Sequence, residues 1–326
     1  MVLAASACTL DDVDYTGKTC PCPSEWVCES DRCARPSPCA LRADDVRIGW
    51  TTPHAIRWQW TPVGDLDHLG SYRVRVGRGT GPDDASGEPE LVTASDNPEL
   101  GLARIPWSGG EDPVRATTTT GHTADTPYWG QLEVLDDAGC VWTSPPQTRS
   151  TKPEPPPERV PLVIFDEDLP ADTWLLPATA AIVEDPAQSF AGLRHLRWQP
   201  ATDDEFNLQI GSLDFPLDVV GADGADLQKT AFLEFAVALD SETNAYYSHV
   251  ELQAAPEGTG RYARLEPFTV LGHDGWQLVE VALAGMVIDD DGAPFSGADA
   301  LQKFQFGCSS CELGAGFRVD AVRLRW

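Results

Sequence analysis

Two segments in the C-terminal half carry polar side chains that can hydrogen-bond a ligand. Apolar and polar residues alternate in 205–210 and in 246–253. Because successive side chains of a strand point to opposite faces, each segment is predicted to be a strand with one apolar and one polar face. The polar positions are Glu205, Asn207, Gln209, Tyr247, His249, Glu251 and Gln253. If both polar faces lie on one side of a sheet, they form a groove that can hydrogen-bond a neutral polar ligand.

Aromatic rings complete this candidate binding set. Sugars are held by amides and carboxylates and by stacking of their C–H faces on aromatic rings, so Trp174 and Trp198 are predicted platforms. Trp276 follows a turn glycine and opens an apolar strand, which favours a core position. The alternative for each polar residue is an ordinary solvent-facing position on an antiparallel sheet.

The sequence gives little support for a catalytic function. The sequence contains no Gly-x-Ser-x-Gly, no His-Glu-x-x-His and no phosphate-binding glycine loop, and its six histidines are scattered. Paired carboxylates hydrolyse glycosides, but such pairs are expected by chance among 51 acidic residues. We predict that the protein is not an enzyme; a hydrolase that uses Glu205 or Glu251 is the least favoured alternative.

The charge balance excludes some partners. The chain has 51 acidic and 23 basic residues, a formal net charge of −28. Such a charge repels nucleic acid and anionic lipid. No run approaches the roughly 20 apolar residues that cross a bilayer. We therefore predict no nucleic-acid partner, and membrane contact only through a lipid anchor.

Nine cysteines are crowded towards the start of the chain. They are Cys8, Cys20, Cys22, Cys28, Cys33, Cys39, Cys140, Cys308 and Cys311. A segment as short as 9–39 cannot bury a core, so the crowding indicates disulfides and an oxidising compartment. A zinc knuckle is less favoured, because no histidine is near and the spacings do not form two Cys-x-x-Cys pairs. We predict the bridges Cys20–Cys28, Cys22–Cys33 and Cys308–Cys311, although spacing alone leaves connectivity open.

The first 39 residues resemble the start of a bacterial surface lipoprotein. Residues 1–8, Met-Val-Leu-Ala-Ala-Ser-Ala-Cys, are similar to the end of a signal whose cysteine becomes the lipidated first residue. Residues 9–39 contain Cys-Pro-Cys-Pro-Ser-Glu-Trp-Val-Cys and resemble cysteine-rich modules that follow such a cysteine in predatory and marine bacteria. The resemblance implies lipidation of Cys8 and a location at the outer cell surface or outside the cell. The alternative places Cys8 in a disulfide or leaves it free.

Residues 40–151 read as short alternating strands separated by Gly, Pro and Asp turns, a pattern typical of a β-sandwich. The segments around Trp58 and Tyr128 resemble the second and sixth strands of a fibronectin type III domain, with Leu135 where that family has alanine. The resemblance puts Cys39 and Cys140 at the same end of the sandwich, which implies that they pair.

Residues 152–159 are proline-rich and predict a semi-rigid spacer, and 160–326 form a larger all-β unit. Four motifs follow in order: Gly-x-x-x-Leu-x-Trp, Gly-Trp-Gln-x-Val-x-Val-x-Leu, Leu-x-x-Phe-x-Phe-Gly and Gly-x-Phe-x-Val-Asp-x-Val-x-Leu. This order resembles the galactose-binding-like jelly rolls that include many carbohydrate-binding modules. The resemblance implies a jelly-roll sandwich that binds carbohydrate.

The same resemblance implies a structural calcium ion. In such jelly rolls an acidic segment after the first strand and the aspartate of the last strand hold the ion. By position these are Asp166, Glu167 or Asp168, together with Asp320. Hard oxygen ligands suit calcium. The acidic residue that usually follows the last aspartate is Ala321 here.

The final ten residues change their apolar phase. Phe317 and Val319 share one parity, whereas Val322 and Leu324 share the other. A strand that keeps one face to a core shows such a slip when it contains a β-bulge, and Asp320 lies at the slip. The chain is therefore predicted to end inside a sheet.

Together these features predict an all-β protein of three parts. A small disulfide-rich segment precedes a fibronectin type III-like sandwich and a β-jelly-roll sandwich. The hypothesis is that the jelly roll binds carbohydrate while the first two parts hold it away from the membrane. The alternative is a structural or adhesive surface component that binds protein partners.

Overall fold

The computed structural model describes most of both predicted sandwiches and part of the cysteine-rich segment. The described residues are 17–22, 27–29, 31–34, 39, 41–84, 87–101, 115–157, 159, 161–170, 173–200, 207–215, 231–241, 245–255, 261–272, 275–285, 287–288, 300–308 and 314–326. The lipidation site predicted at Cys8 and the candidate ligand Glu205 lie outside these residues.

Regular structure in the described residues consists of strands and short 3-10 turns. The strands are β1 Val27–Glu29, β2 Arg32–Ala34, β3 Asp44–Thr51, β4 Ile56–Thr61, β5 Leu69–Arg78, β6 Glu90–Val92, β7 Arg115–Thr119, β8 Pro127–Asp136, β9 Val141–Thr143, β10 Gln147–Ser150, β11 Leu162–Phe165, β12 Thr173–Leu176, β13 Ala181–Glu184, β14 Arg194–Trp198, β15 Asn207–Phe215, β16 Phe232–Leu239, β17 Ala245–Ala255, β18 Arg261–Leu271, β19 Gln277–Ala282, β20 Val287–Ile288, β21 Ala300–Cys308 and β22 Phe317–Arg325. Among the residues described, no helix has the length and apolar character needed to cross a membrane.

Strands β3 to β10 form the first sandwich. One sheet has the order β3-β4-β7, and the other has the order β10-β8-β5-β6 with β9 beside β8. All neighbouring strands are antiparallel, and this arrangement is fibronectin type III-like, as predicted. The hydroxyl of Tyr128, at the start of β8, accepts a hydrogen bond of 3.0 Å from the backbone N–H of Thr123. This bond fastens the loop before β8 to the strand.

The core of the first sandwich is built around a tryptophan that packs on a glycine. Trp58, in β4, is 2% exposed and belongs to the apolar cluster between the two sheets. Its ring lies against the backbone of Gly130 in β8, so closely that an added Cβ would overlap the ring carbons. The two sheets can approach here because residue 130 has no side chain.

Disulfides join the cysteine-rich segment together and tie it to the first sandwich. Cys22 pairs with Cys33, and Cys39 pairs with Cys140, both as predicted. Cys20 and Cys308 are also disulfide-bonded, but the predicted partners Cys28 and Cys311 have no described side chain. In β1 and β2, Cys28 lies directly opposite Cys33.

Strands β11 to β22 form the second sandwich. One sheet has the order β13-β14-β22-β16-β19 with β11 beside β22, and the other has the order β12-β15-β21-β17-β18-β20. We call these the β22 sheet and the β21 sheet. The architecture is a jelly-roll-type sandwich, as predicted. Its core is rich in aromatic side chains, with fully buried rings of Phe165, Trp198, Phe235, Phe304, Phe306 and Phe317.

Strand β22 contains the bulge predicted from the phase slip. Ala321 has a left-handed backbone conformation with φ of 51°. The pairing of β22 with β16 shifts register at this point, because β22 has one residue more than β16 between the flanking pairs. Because one extra residue is inserted, Val319 and Val322 both face the core and are fully buried.

The proline-rich segment, predicted to be a semi-rigid spacer, makes contacts with both sandwiches. The N–H of Lys152 donates to the carbonyl of Thr52 in the first sandwich, at 3.0 Å. The Glu154 carboxylate lies 3.3 Å from a guanidinium nitrogen of Arg325 in the second sandwich. The connector therefore contacts both units.

Replacing Gly130 by alanine is expected to destabilise the first sandwich by about 1–3 kcal/mol, because the new methyl group overlaps the Trp58 ring and forces the sheets apart. Chemical denaturation measures the change in the free energy of unfolding. The matched control is Gly64→Ala, where an added Cβ meets no atom within 4 Å. Equal stability of the two variants would contradict this account of the core.

Candidate functional site

The outer face of the β21 sheet brings the predicted ligand-binding residues together. Across three neighbouring strands, Gln209 of β15 pairs with Gln305 of β21, which pairs with Glu251 of β17. We call these three positions the amide row, after its two glutamines; the third position is a glutamate. One step along the strands, Asn207, Gly307 and His249 form a second row. The register thus places residues far apart in sequence side by side on adjacent strands.

The alternation of burial identifies which face carries the amide row. Along β15, β21 and β17, the residues next to the row are fully buried in the core of the sandwich. They are Leu208, Ile210, Phe304, Phe306, Val250 and Leu252. Side chains alternate between the two faces of a strand, so the amide row occupies the face away from the core.

Two amides of the row lack hydrogen-bond partners. Gln305 is only 8% exposed and Gln209 is half-buried. In the described part of the chain, neither side-chain amide makes a hydrogen bond. Buried polar groups are normally paired, and an amide has two donors and an accepting oxygen to offer. The row therefore presents unused hydrogen-bonding capacity to whatever lies on this face.

An exposed tryptophan flanks the amide row on the edge strand β12. Trp174 is 38% exposed and pairs with Gly211 of β15, which has no side chain. Leu176, the next residue on the same face, is 50% exposed and pairs with Gln209. Half-buried Lys303 of β21 lies opposite Gly211. An aromatic ring beside partnerless amides is an arrangement that holds a sugar by stacking and hydrogen bonds.

Two groups of the predicted ligand-binding residues lie on the outer face of the β21 sheet. Trp174 and Gln209 lie on the outer face with described side chains. Asn207, Tyr247, His249 and Glu251 lie in β15 and β17 at alternate positions of that face, and their placement here rests on the backbone register. Gln305 and Lys303 were missed from the sequence. The alternation of Lys303 and Gln305 with Phe304 and Phe306 was the signal that would have found them.

The prediction of Trp198 as a sugar platform is wrong. Its side chain is fully buried in the core. The ring stacks on Phe317, with centroids 5.2 Å apart, and meets Phe306 edge-on at 6.1 Å. No ligand on either sheet face can reach it.

The sequence predicted a core position for Trp276, and this prediction is also wrong. Trp276 lies on the surface of the second sandwich. It sits beside β19 on the outer face of the β22 sheet, where it is half-buried. The Arg318 guanidinium lies over its ring at 5.4 Å, and the Phe190 ring lies 5.9 Å away. Its indole N–H donates to the carbonyl of Gln188 at 3.1 Å.

Asp320 binds backbone N–H groups. One carboxylate oxygen accepts hydrogen bonds from the N–H groups of Phe190 and Ala191 at 3.0 and 3.2 Å. The other accepts from Ala321 at 2.7 Å. Burial raises the pKa of the Asp320 carboxyl, and these three hydrogen bonds act in the opposite direction. The carboxylate thus anchors the loop before β14 to the bulge of β22.

The three acidic residues after β11 are engaged in other contacts. Asp166 lies 3.3 Å from a guanidinium nitrogen of Arg323, and Asp168 forms an ion pair with Arg194. Glu167 accepts a hydrogen bond of 2.7 Å from the N–H of Leu193. This carboxylate lies over Gly192, which has a φ of 66° and no side chain to obstruct it.

These carboxylates do not fit the predicted calcium site. Among the described residues, no three groups of Asp, Glu or His have ligand atoms within 4.8 Å of one another. Calcium takes six to eight oxygen ligands, whereas the oxygens here face arginines and backbone N–H groups. The contacts that calcium was predicted to provide are made directly by Asp320 and Glu167.

Three cysteine sulfurs do cluster in the described part of the chain. Cys20, Cys22 and Cys33 have their sulfurs within 4.8 Å of one another. All three are disulfide-bonded, so their sulfurs are not thiolates. Thiolates are the form in which cysteine binds metal. The cluster is therefore a structural disulfide pair.

A cavity of about 300 Å³ lies between the connector and β22. It is lined by Pro155, Pro156, Pro157, Arg159, Pro161, Arg323, Arg325 and Trp326. Arg323 and Arg325 face Asp166, Glu154 and Glu234, so acidic side chains already balance the charge of these arginines. The cavity lies on the other sheet from the amide row.

Comparisons with known proteins give likenesses of architecture. No model of a protein family matches the chain, and no curated protein matches it. The second half is similar to a family 11 carbohydrate-binding module from Clostridium thermocellum, solved with a beta-1,3-1,4-mixed-linked tetrasaccharide. The match has 14% identity, covers 51% of this chain and 95% of that chain, and has a TM-score of 0.35. An FN3 domain of human collagen XX matches at 19% identity over 36% of this chain and 99% of that chain, with a TM-score of 0.25.

A third likeness extends over most of the chain. The tandem CBM22-1-CBM22-2 domain from Paenibacillus barcinonensis Xyn10C matches at 14% identity over 89% of this chain and 92% of that chain, with a TM-score of 0.36. These scores are low, and none of the three likenesses bears on what this chain binds.

Replacing Asp320 by alanine is expected to lower the free energy of unfolding by about 2–4 kcal/mol, because three N–H groups lose their acceptor. Denaturant titration at neutral pH measures the loss. Asp168→Ala is the control, since an exposed ion pair contributes about 0–1 kcal/mol. A loss of the same size in both variants would refute the anchoring role.

Calcium is expected to leave the stability of the protein unchanged. A ligand that binds only the folded state raises the thermal midpoint, and the increase grows with the logarithm of the ligand concentration. The midpoint should therefore be the same in calcium and in chelator, as measured by calorimetry. A midpoint that rises with calcium concentration would restore the predicted site.

Proposed function

We propose that the second sandwich binds carbohydrate on the outer face of the β21 sheet and that the protein is a non-catalytic binding protein. The ligand lies across β12, β15, β21 and β17. It stacks a C–H face on Trp174 and hydrogen-bonds the amide row. The positions of Asn207, His249 and Glu251 supply further polar groups on the same face.

The observation that carries this proposal is a pair of amides with no hydrogen-bond partner among the described residues. Gln209 and Gln305 face each other on adjacent strands, and Gln305 is only 8% exposed. A ligand with several hydroxyl groups can pair with both amides, because each hydroxyl both donates and accepts. Carbohydrate is the ligand class that combines many hydroxyls with a face able to stack on indole.

Charge favours a neutral glycan. The net charge of −28 repels polyanionic sugars over the whole surface. Within the site, Lys303 and the position of Glu251 carry opposite charges on adjacent strands. A glycan of neutral hexoses or pentoses is therefore the proposed ligand.

The other sheet face is less suited to a glycan. The outer face of the β22 sheet is partly covered: Glu234 and Glu280 on it are 7% and 3% exposed, and Glu280 contacts Thr52 and His54 of the first sandwich. Its remaining part carries Phe190 and Leu278, which are 42% and 40% exposed, beside Trp276. This apolar area favours the alternative function, adhesion to a surface protein.

We also propose that the protein acts outside the cell, secreted or anchored through a lipid on Cys8. The disulfides Cys22–Cys33 and Cys39–Cys140 support an oxidising compartment, since such bridges are rare in reducing ones. In that location the cysteine-rich segment and the first sandwich hold the binding face of the second sandwich away from the membrane.

Replacing Trp174 by alanine is expected to weaken glycan binding about tenfold or more, because a stacking platform is lost. A glycan array finds the ligand, and calorimetric titration then measures the dissociation constant. The matched control is Trp276→Ala, which removes a half-buried tryptophan from the other sheet. We expect its affinity to equal that of the unchanged protein.

Three results would contradict the proposal. Binding that is lost in Trp276→Ala and kept in Trp174→Ala would move the site to the other face. An array with no glycan above background would favour a protein partner. Hydrolysis of a bound glycan that disappears in Glu251→Gln would show a glycoside hydrolase.

A further inference from the structure

The hairpin between β3 and β4 extends from the first sandwich into the second. Trp50 and Ala55, at either end of the turn, are 3% and 1% exposed and belong to the core cluster of the second sandwich. Thr52 within the turn is fully buried. The tip is therefore a built interface between the two sandwiches.

Glu280 of β19 receives this tip. Its Oε2 accepts hydrogen bonds from the hydroxyl of Thr52 and from the N–H of His54, the latter at 3.0 Å. Its Oε1 lies 2.9 Å from Nδ1 of His54. The Glu280 side chain is only 2% exposed, so these groups from the first sandwich replace the water that would otherwise solvate the carboxylate.

Glu280 needs such partners because another buried carboxylate lies beside it. Glu234 of β16 pairs directly with Glu280 across the two strands. Like charges placed opposite each other destabilise a sheet. Arg325 balances Glu234 through a contact of 2.7 Å, and the hairpin tip supplies the balance for Glu280.

His54 links this interface to the connector. Its Nε2 lies 2.9 Å from Glu154, which also faces Arg325 at 3.3 Å. Both ring nitrogens of His54 thus face carboxylate oxygens, and ionised carboxylates only accept hydrogen bonds. Both bonds form only when the ring carries two protons and a positive charge.

We propose that Glu280, His54 and Glu154 form a proton-dependent lock that joins the two sandwiches into one rigid body. With the doubly protonated ring, the lock closes and both sandwiches keep one fixed orientation. When pH rises and the ring loses a proton, one of the two bonds becomes a contact between two acceptors, and the lock weakens. This inference stands independently of carbohydrate binding.

Three other ionisable groups lie near His54. The backbone N–H of His122 donates to the backbone carbonyl of His54. Burial lowers the pKa of the His122 ring to about 4, so this ring is neutral. Arg325 stays protonated at every pH used. Lys152, whose N–H bonds to Thr52, has a pKa lowered by burial. Of these groups, His54 is the one whose ring contacts both carboxylates of the lock.

Residual dipolar couplings of the intact protein test the lock. At about pH 5.5 one alignment tensor is expected to fit both sandwiches, and at about pH 8.5 two tensors are expected. In His54→Gln the side chain offers one donor group and no charge, so two tensors are expected at both values. His68→Gln is the control, because His68 is exposed and pairs with Asp65 away from the interface.

The protonation of the ring gives a second, independent readout. Nitrogen-detected spectra at about pH 5.5 are expected to show both His54 nitrogens protonated. The proposal is overturned if two tensors are needed at the lower pH, or if one tensor fits at both pH values in the unchanged protein. A pH response that persists in His54→Gln would overturn it as well.

Discussion

The second sandwich depends on the bulge in its last strand. Strand β22 is hydrogen-bonded to β14, β16 and β11, so any change of its register changes the face that all three present. The extra residue, Ala321, lets Val319 and Val322 both point into the core. Without it, one half of β22 would turn its apolar side chains to the outer face. Asp320 satisfies three backbone N–H groups at this irregular point, which makes the bulge and the neighbouring loop one unit.

The strands and the bulge could be predicted because period-two alternation is visible in short stretches of sequence. The Cys39–Cys140 disulfide followed from the fibronectin type III resemblance, and Cys22–Cys33 from the crowding of cysteines in 9–39. The sequence did not predict which side chains meet across sheets. Trp198 shares its parity with Leu196, and this pattern should have indicated the core. The carboxylates predicted to hold calcium illustrate a different gap. Alternation shows that Asp320 breaks the phase, but it does not show that backbone N–H groups of a loop about 130 residues earlier fill the space around its carboxylate.

The two outer faces of the second sandwich have different neighbours. The hairpin tip and the connector occupy part of the β22 sheet, where buried Glu234 and Glu280 find their partners. The β21 sheet keeps a central row of amides without partners in the described residues. Glu234 and Glu280 on the first face are thus satisfied from within the chain, whereas Gln209 and Gln305 on the second have no hydrogen bond to a described residue. Because part of the β22 sheet packs against the first sandwich, the β21 sheet on the opposite side points in a defined direction.

The Cys39–Cys140 bridge has a consequence for mechanical load. It closes a loop of 101 residues that contains strands β3 to β8. If the chain is held at its start and pulled through a ligand on the second sandwich, tension reaches Cys39 and crosses the bridge to Cys140. It then leaves through β9, β10 and the connector. The strands that form most of the first sandwich lie outside this path, so traction cannot unravel them while the bridge is intact.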